Sequence, residues 1–249
     1  MTIQYNFRDK VAIITGASSG IAKESAEMFC TAEAKTVFVS RSGTDEIVAR
    51  LKAKHYSCLS LKCDVSDEEQ VKKMVNSVLE SFGTIDILVN CAAVNQFGKI
   101  EDISLEDWDY VLRNNLTSHF LCCKYVVPIM KQRKYGKIVN ISSIAGRFRS
   151  TLSGIHYVTS KAAVIGFTRQ LAYEVGNFNI NVNAICPGQT YTPMLMTSLK
   201  PGDREKLEQV IPLEYIASPE QQANVIMFLA SDEANYMNGA IVDVNGGQL

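Results

Sequence analysis

TGASSGIA, residues 15–22, stands between the short apolar run KVAIIT (10–15) and an amphipathic stretch that begins near residue 20. A glycine turn that ends a strand and opens a helix aims backbone N–H groups at an anion, and the helix dipole adds to the attraction; a pyrophosphate suits such a turn. The glycines are spaced Gly16-x3-Gly20, with Ala22 two places on, so the pattern is not GxGxxG. The same letters also fit a plain tight turn into a helix, so the surroundings must decide.

Outward from that turn, short β-branched runs alternate with longer amphipathic ones. Residues 10–15, 35–40, 57–63, 85–90, 136–142, 180–185 and 239–244 read as strands, and their continuous apolar character suits strands covered on both faces. Helix signals lie between them. Ser66-x-x-Glu69 reads as a capping box ahead of residues 67–82, and Ser218-Pro219-Glu220-Gln221 sets a cap, a first-turn proline and a capping glutamine in order. Ser104-x-x-Asp107 opens a helix with Leu105, Trp108, Leu112, Leu116 and Phe120 on one stripe. Strands alternating with helices predict an α/β fold, a parallel sheet with helices on both faces. With no linker, repeat or low-complexity segment, residues 1–249 are expected to form one domain. Its longest stretch without a strand, about 188–217, is expected to be a substrate lid.

Composition sets limits on partners. Twenty-five Lys and Arg balance 26 Asp and Glu, so nothing suggests a nucleic-acid or membrane field. The start lacks a basic region followed by an apolar run and cleavage site, and no apolar run approaches a membrane span. Seven cysteines without a CxxC pair, and only three histidines, predict reduced thiols, no metal site and a cytoplasmic protein.

Tyr157-Val158-Thr159-Ser160-Lys161 places a phenol and an ammonium one helical turn apart. Of the ten tyrosines only Tyr157 has a lysine at this spacing. Free tyrosine has a pKa of about 10, too high for easy proton exchange near neutrality. An ammonium ~5 Å away, at an effective dielectric of about 20, favours phenolate by roughly 3 kcal/mol, and burial opposes it. The expectation is a lowered tyrosine pKa.

Together these motifs resemble the short-chain dehydrogenase/reductase family, single-domain branch, and the match runs over almost the whole chain. Thr15-Gly16-x3-Gly20-Ile21 is similar to its cofactor loop, with Ala22 where a third glycine is usual. Cys63-Asp64-Val65 resembles the segment that holds adenine, although Asp64 also fits a strand end leading into a helix cap. VNCAA (89–93) resembles the family's NNAG, keeping Asn90 and Ala92 but departing at Cys91 and Ala93. The resemblance implies a doubly wound, Rossmann-type three-layer sandwich with a seven-stranded parallel sheet. It implies Asn115, Ser143, Tyr157 and Lys161 as the catalytic set, with Asn114 the alternative for the first. Tyr157 would be the general acid or base, Ser143 would hold the substrate oxygen, and Asn115 would hold a water that supplies protons through Lys161. Gly16, Ser18, Ser19, Gly20 and Ile21 would bind the pyrophosphate, and Asp64, Val65, Asn90 and Ala92 the adenosine side. Tyr157, Lys161, Pro187, Gly188, Thr190 and Thr192 would lie at the nicotinamide, although Thr192-Pro193 also reads as a helix cap.

The second strand ends Val39-Ser40-Arg41, without the acid that accepts a ribose 2′-OH in NAD sites. Arg41 could clamp a 2′-phosphate, which points to NADP(H), with NAD(H) and a solvated arginine as the alternative. The implied reaction interconverts a secondary alcohol and a ketone, on a sugar, polyol, sugar acid or other small alcohol. The alternatives are a 3-oxoacyl-[acyl-carrier-protein] reductase and a non-catalytic dinucleotide-binding sensor. For the carrier reading KQRKYGK (131–137) is basic, but residues 177–179 lack an arginine. Arg147, Arg149 and His156 could form a basic rim, or face solvent or another subunit. A homotetramer is the family expectation, built on helices over 105–131 and 154–175, with small-molecule substrates as the other partners.

Overall fold

In the computed structural model, which describes residues 5–199 and 202–249, seven strands form one parallel sheet. The strands are β1 (Val11–Thr15), β2 (Lys35–Ser40), β3 (Cys58–Lys62), β4 (Ile87–Asn90), β5 (Gly136–Ile141), β6 (Ile180–Pro187) and β7 (Ile241–Val244). Their order is β3-β2-β1-β4-β5-β6-β7. The chain winds outward from β1 to β3, returns, and winds outward the other way from β4. The reversal lies between β1 and β4, where Ile13 pairs with Leu88; crevices at such a switch point, beyond the carboxyl ends of the strands, bind ligands.

Alternate side chains along each strand face opposite layers. Val11 and Ile13 of β1 pack with α3 (Glu68–Phe82), α5 (Ser118–Arg133) and α7 (Ile155–Val175). Ala12 and Ile14 pack with α1 (Gly20–Thr31), α2 (Asp45–Lys52) and α10 (Pro219–Ala230). This is the doubly wound Rossmann-type architecture. The remaining helices are α4 (Leu105–Leu112), α6 (Ile144–Arg147), α8 (Pro193–Met196) and α9 (Asp203–Gln209). Among the described residues no helix is long and apolar enough to cross a membrane, and all seven thiols are free. Lys200 and Pro201 of the expected lid lie outside the described residues.

Three local expectations change. The cap of α3 is Asp67, which accepts from Gln70 N–H at 3.0 Å. Ser66 instead bonds Asp64 Oδ1 through both its N–H and its hydroxyl, so Ser66-x-x-Glu69 is no capping box. The capping box at Ser218 and Gln221 is present. Helix 105–131 is interrupted by a π turn, Arg113–Thr117. The stripe from Leu105 to Phe120 does not face the core: Leu105 and Phe120 are exposed, while the interior takes Val111, Cys122 and Val126.

At the amino end of β6, away from the carboxyl ends of the strands, asparagines fasten it to the segment before β7. Asn181 and Asn183 donate to main-chain oxygens at 235 and 237, and Asn238 Oδ1 accepts from Val182 N–H at 2.9 Å.

Candidate active site

A cleft of about 620 Å³ opens at the carboxyl ends of the strands, over the β1/β4 reversal. All the site residues expected from sequence line it except Asn90 and Asn115. Its floor begins with the turn after β1. Gly16 (φ +77°) and Gly20 (φ +58°) take backbone conformations that favour glycine. A Cβ on Gly16 would stand 2.9 Å from Ala92 Cα, so the turn touches the loop after β4 through bare backbone. Thr15 fixes that loop: its hydroxyl accepts from the N–H groups of Cys91 and Ala92 at 3.0 and 3.1 Å. Ala22 is buried in the α1 core face, where its methyl is accommodated.

At the reacting end, β5 runs into Ser142 and Ser143, and α7 brings Tyr157 and Lys161 alongside. The two serines divide their work. Ser142 is buried and donates to the Lys161 carbonyl oxygen at 2.7 Å, tying the strand end to α7. Ser143 lines the cleft, caps α6 by accepting from Ala145 N–H at 3.1 Å, and hydrogen-bonds the Tyr157 phenol.

Lys161 is buried, and its Nζ donates to the Ile141 carbonyl oxygen at 2.8 Å. It stands 5.8 Å from the centroid of the Tyr157 ring. Burial pushes the Tyr157 phenol up to about 12, although the bond to Ser143 pulls it down. Burial brings Lys161 down to about 8. The lowered phenol expected from the lysine spacing is therefore not what the folded cleft produces: loss of water outweighs an ammonium at that distance. The half-buried Cys91 thiol lines the same cleft and is pushed up by burial to about 11, so it is neutral near pH 7.

Asn115 and Asn90 sit behind the wall. The Asn115 amide is engaged at both ends: Oδ1 accepts from Val94 N–H at 2.8 Å, and Nδ2 donates to Val94 O and Ser160 Oγ at 2.9 and 3.1 Å. Ser160 Oγ in turn donates to Tyr157 O at 2.7 Å. Asn115 thus braces the loop after β4 against the tyrosine helix, and both amide hydrogens are used. Asn90, expected on the adenosine side, turns inward. Its Nδ2 donates to Asn140 Oδ1 at 2.9 Å, and Asn140 Nδ2 donates to Thr168 Oγ1 at 3.0 Å. This polar ladder joins β4, β5 and α7 beneath the cleft.

The basic rim separates. Arg147 forms an ion pair with Asp243 at 3.0 Å, and His156 is buried with its Nδ1 accepting from Tyr157 N–H at 3.0 Å. Only Arg149 of the three lines the cleft. Thr192 caps α8 by accepting from Leu195 N–H at 3.3 Å, and its methyl would meet a Cβ on Gly20 at 3.0 Å. It is both a helix cap and a wall of the glycine turn.

The residues present fit a dinucleotide. The glycine turn gives backbone N–H groups without side-chain cover, and the end of β2 carries no acid. Ser40 Oγ there is buried without a hydrogen-bond partner among the described residues, beside the exposed Arg41.

A family model described as enoyl-(acyl carrier protein) reductase matches residues 16–248. An uncharacterized oxidoreductase of Thermotoga maritima is 40% identical over 254 residues, covering 97% of this chain and 98% of that protein. A 3-oxoacyl-[acyl-carrier-protein] reductase of the same organism is 37% identical, covering 96% of this chain and 97% of its own length. Among solved structures, levodione reductase superposes with a TM-score of 0.89 at 32% identity, over 98% of both chains. A 3-oxoacyl-[acyl-carrier protein] reductase from Brucella melitensis superposes with a TM-score of 0.91 at 29% identity, over 100% of this chain and 97% of that one.

Proposed function

Since the chain belongs to the short-chain dehydrogenase/reductase family, oxidoreductases that bind nicotinamide dinucleotides, we propose that it interconverts a secondary alcohol and a ketone with NADP(H). The observation that carries this reading is the convergence of Ser143 and Tyr157 on one wall of the cleft, with Lys161 behind them. A bound nicotinamide supplies or accepts the hydride. Near neutral pH the Tyr157 phenol holds its proton, so it can give that proton to the oxygen of a carbonyl being reduced; the phenolate left behind is the form that takes a proton from the alcohol in oxidation. Ser143 Oγ hydrogen-bonds the same oxygen and fixes its position. Lys161 contributes positive charge and holds the ribose. With the Asn115 amide engaged, a water feeding protons toward Lys161 would be held by the main chain of the π turn.

Gly16, Ser18, Ser19, Gly20 and Ile21 would hold the pyrophosphate, and Asp64, Val65 and Ala92 the adenosine. Arg41 would take the 2′-phosphate, and Pro187, Gly188, Thr190 and Thr192 the nicotinamide end. The substrate wall mixes polar Asn95, Arg149, Thr151 and Ser153 with apolar Phe148 and Leu195, which suits a sugar, polyol, sugar acid or similar small alcohol. Residues 188–217 would act as its lid, in a fold that works as one domain. The exposed apolar side chains of Leu105, Tyr110 and Phe120 on the helices over 105–131 support a homotetramer.

Relatives named 3-oxoacyl-[acyl-carrier-protein] reductase favour a second reading, with a carrier-bound 3-oxoacyl thioester as substrate. The basic segment 131–137 supports it poorly. Lys137 is buried and bonded to Asn181 and Asn235, Arg133 pairs with Asp86 at 3.7 Å, and Lys131 lies over the Phe178 ring at 4.6 Å. Three of its four cations are thus engaged within the chain. A panel of hydroxy ketones, keto acids and acetoacetyl thioester, followed by absorbance with NADPH and NADH, separates the two readings. Tyr157→Phe should lose about 10²–10⁴ in turnover while still binding cofactor. Undiminished turnover in that variant, or no turnover of any ketone, would sink the proposal.

A further inference from the structure

Arg41 has no carboxylate partner among the described residues, yet it is not loose. Its Nη1 donates to Asn114 Oδ1 at 3.3 Å, across 73 positions of sequence, and both residues line the cleft. Asn114 is a firm anchor. It is buried on the π turn, and its Nδ2 donates to Tyr110 O at 2.8 Å. That bond settles the orientation of the amide: the nitrogen must face the carbonyl, so the oxygen faces the guanidinium. The Asn114 main-chain oxygen accepts from Ser118 Oγ at 2.6 Å, which stiffens the same turn.

We propose that Asn114 is a positioning residue that presents the Arg41 guanidinium to the 2′-phosphate of the dinucleotide and so sets cofactor choice. The inference rests on the NADP(H) reading above. A guanidinium carries about five N–H donors in a rigid fork, and one bond to a neutral amide oxygen leaves most of them, and the whole charge, for an anion. A carboxylate at position 114 would hold the arginine as well but cancel its charge. The neutral amide holds the long side chain in place before ligand arrives, so less freedom is lost on binding. NAD(H), without the phosphate, makes no use of the arrangement.

The test is calorimetric binding of NADP⁺ and NAD⁺ to the intact protein. Asn114→Ala should weaken NADP⁺ about fivefold and leave NAD⁺ within about twofold. Arg41→Ala should abolish the preference for NADP⁺, and adding Asn114→Ala to it should change the NADP⁺/NAD⁺ ratio no further. Should Asn114→Ala fail to fold, the isosteric Asn114→Asp carries the test, with NADP⁺ weakened more than about tenfold by charge and NAD⁺ little changed. Equal weakening of both cofactors, or of neither, in a protein that prefers NADP⁺ overturns the role of Asn114 and leaves the cofactor reading standing. A native protein that binds NAD⁺ more tightly overturns both.

Discussion

Lys161 Nζ stands 5.8 Å from the centroid of the Tyr157 ring and donates at 2.8 Å to the Ile141 carbonyl oxygen. The phenol is pushed up to about 12 and the ammonium brought down to about 8, in both cases chiefly by burial. Each group lies nearer its neutral form in the cleft than in water.

A stability profile should reveal the lysine. Unfolded Lys161 titrates near about 10.4, and folded Lys161 near about 8, so between those values the unfolded chain binds the extra proton. Its contribution to unfolding free energy therefore rises with pH through that window, and the cost of burying the charge is complete below it. Lys161→Met should be more stable than the native protein at pH 7, by at most on the order of 3 kcal/mol. Buried thiols and Tyr157 pull the other way at high pH, so the measured quantity is the difference between the two proteins in urea. The gap should close from pH 8 toward about 10.4. A gap that stays constant with pH contradicts the lysine's burial cost.

The adjacent serines should separate cleanly. Ser143→Ala removes a cleft hydroxyl and should lower kcat by about 10²-fold, with a stability loss of at most about 1 kcal/mol from its cap on α6. Ser142→Ala removes the second donor to the buried Lys161 carbonyl, which keeps its helical bond, and should cost about 1 kcal/mol of stability with kcat little changed. Steady-state kinetics and denaturant melts on both variants would show the reverse pattern if the assignments were exchanged.

Gly16→Ala should damage stability and cofactor binding together. The new methyl would meet Ala92 Cα at 2.9 Å, at a φ of +77° that alanine resists. A loss of about 1–3 kcal/mol is expected, with weaker dinucleotide binding by calorimetry. Normal affinity in this variant would mean that the turn and the loop after β4 are not coupled.

Asn90 should behave as a structural residue. Asn90→Ala cuts the ladder to Asn140 inside the protein and should cost about 1–3 kcal/mol, with cofactor affinity held within about threefold. A large loss of affinity in a stable variant would return Asn90 to the cofactor site.

The sheet was readable because all seven strands are short β-branched runs separated by helical periodicity, and their observed bounds differ from the sequence reading by at most two residues. The glycine turn and the Tyr157/Lys161 pair were readable because backbone conformation and helical spacing are local properties. Direction was not. Arg147 and Arg149 are two residues apart in a chain segment without regular spacing, and nothing local says that one turns to Asp243 and the other to the cleft. Asn90 fits the family's motif, yet its side chain is claimed by Asn140, fifty residues on. Ser66 lost its cap role to Asp67 by one residue, a shift within the ordinary play of competing short polar side chains. The pull of Lys161 on Tyr157 was overstated because spacing gives proximity but not desolvation.

The π turn at Arg113–Thr117 has a further effect on the long helix that contains it. An extra residue in one turn sets everything downstream back by about 100° of rotation. The turn absorbs that offset, so both halves keep an inward side: Val111 in α4, and Cys122 and Val126 in α5, while Leu105 and Phe120 stay outside. Deleting one residue of the turn would restore regular α-geometry with both halves facing as they do now, whereas adding one would turn α5 by about a further 100° and carry Cys122 and Val126 off the interior. The helix faces therefore tolerate shortening at this segment and not lengthening.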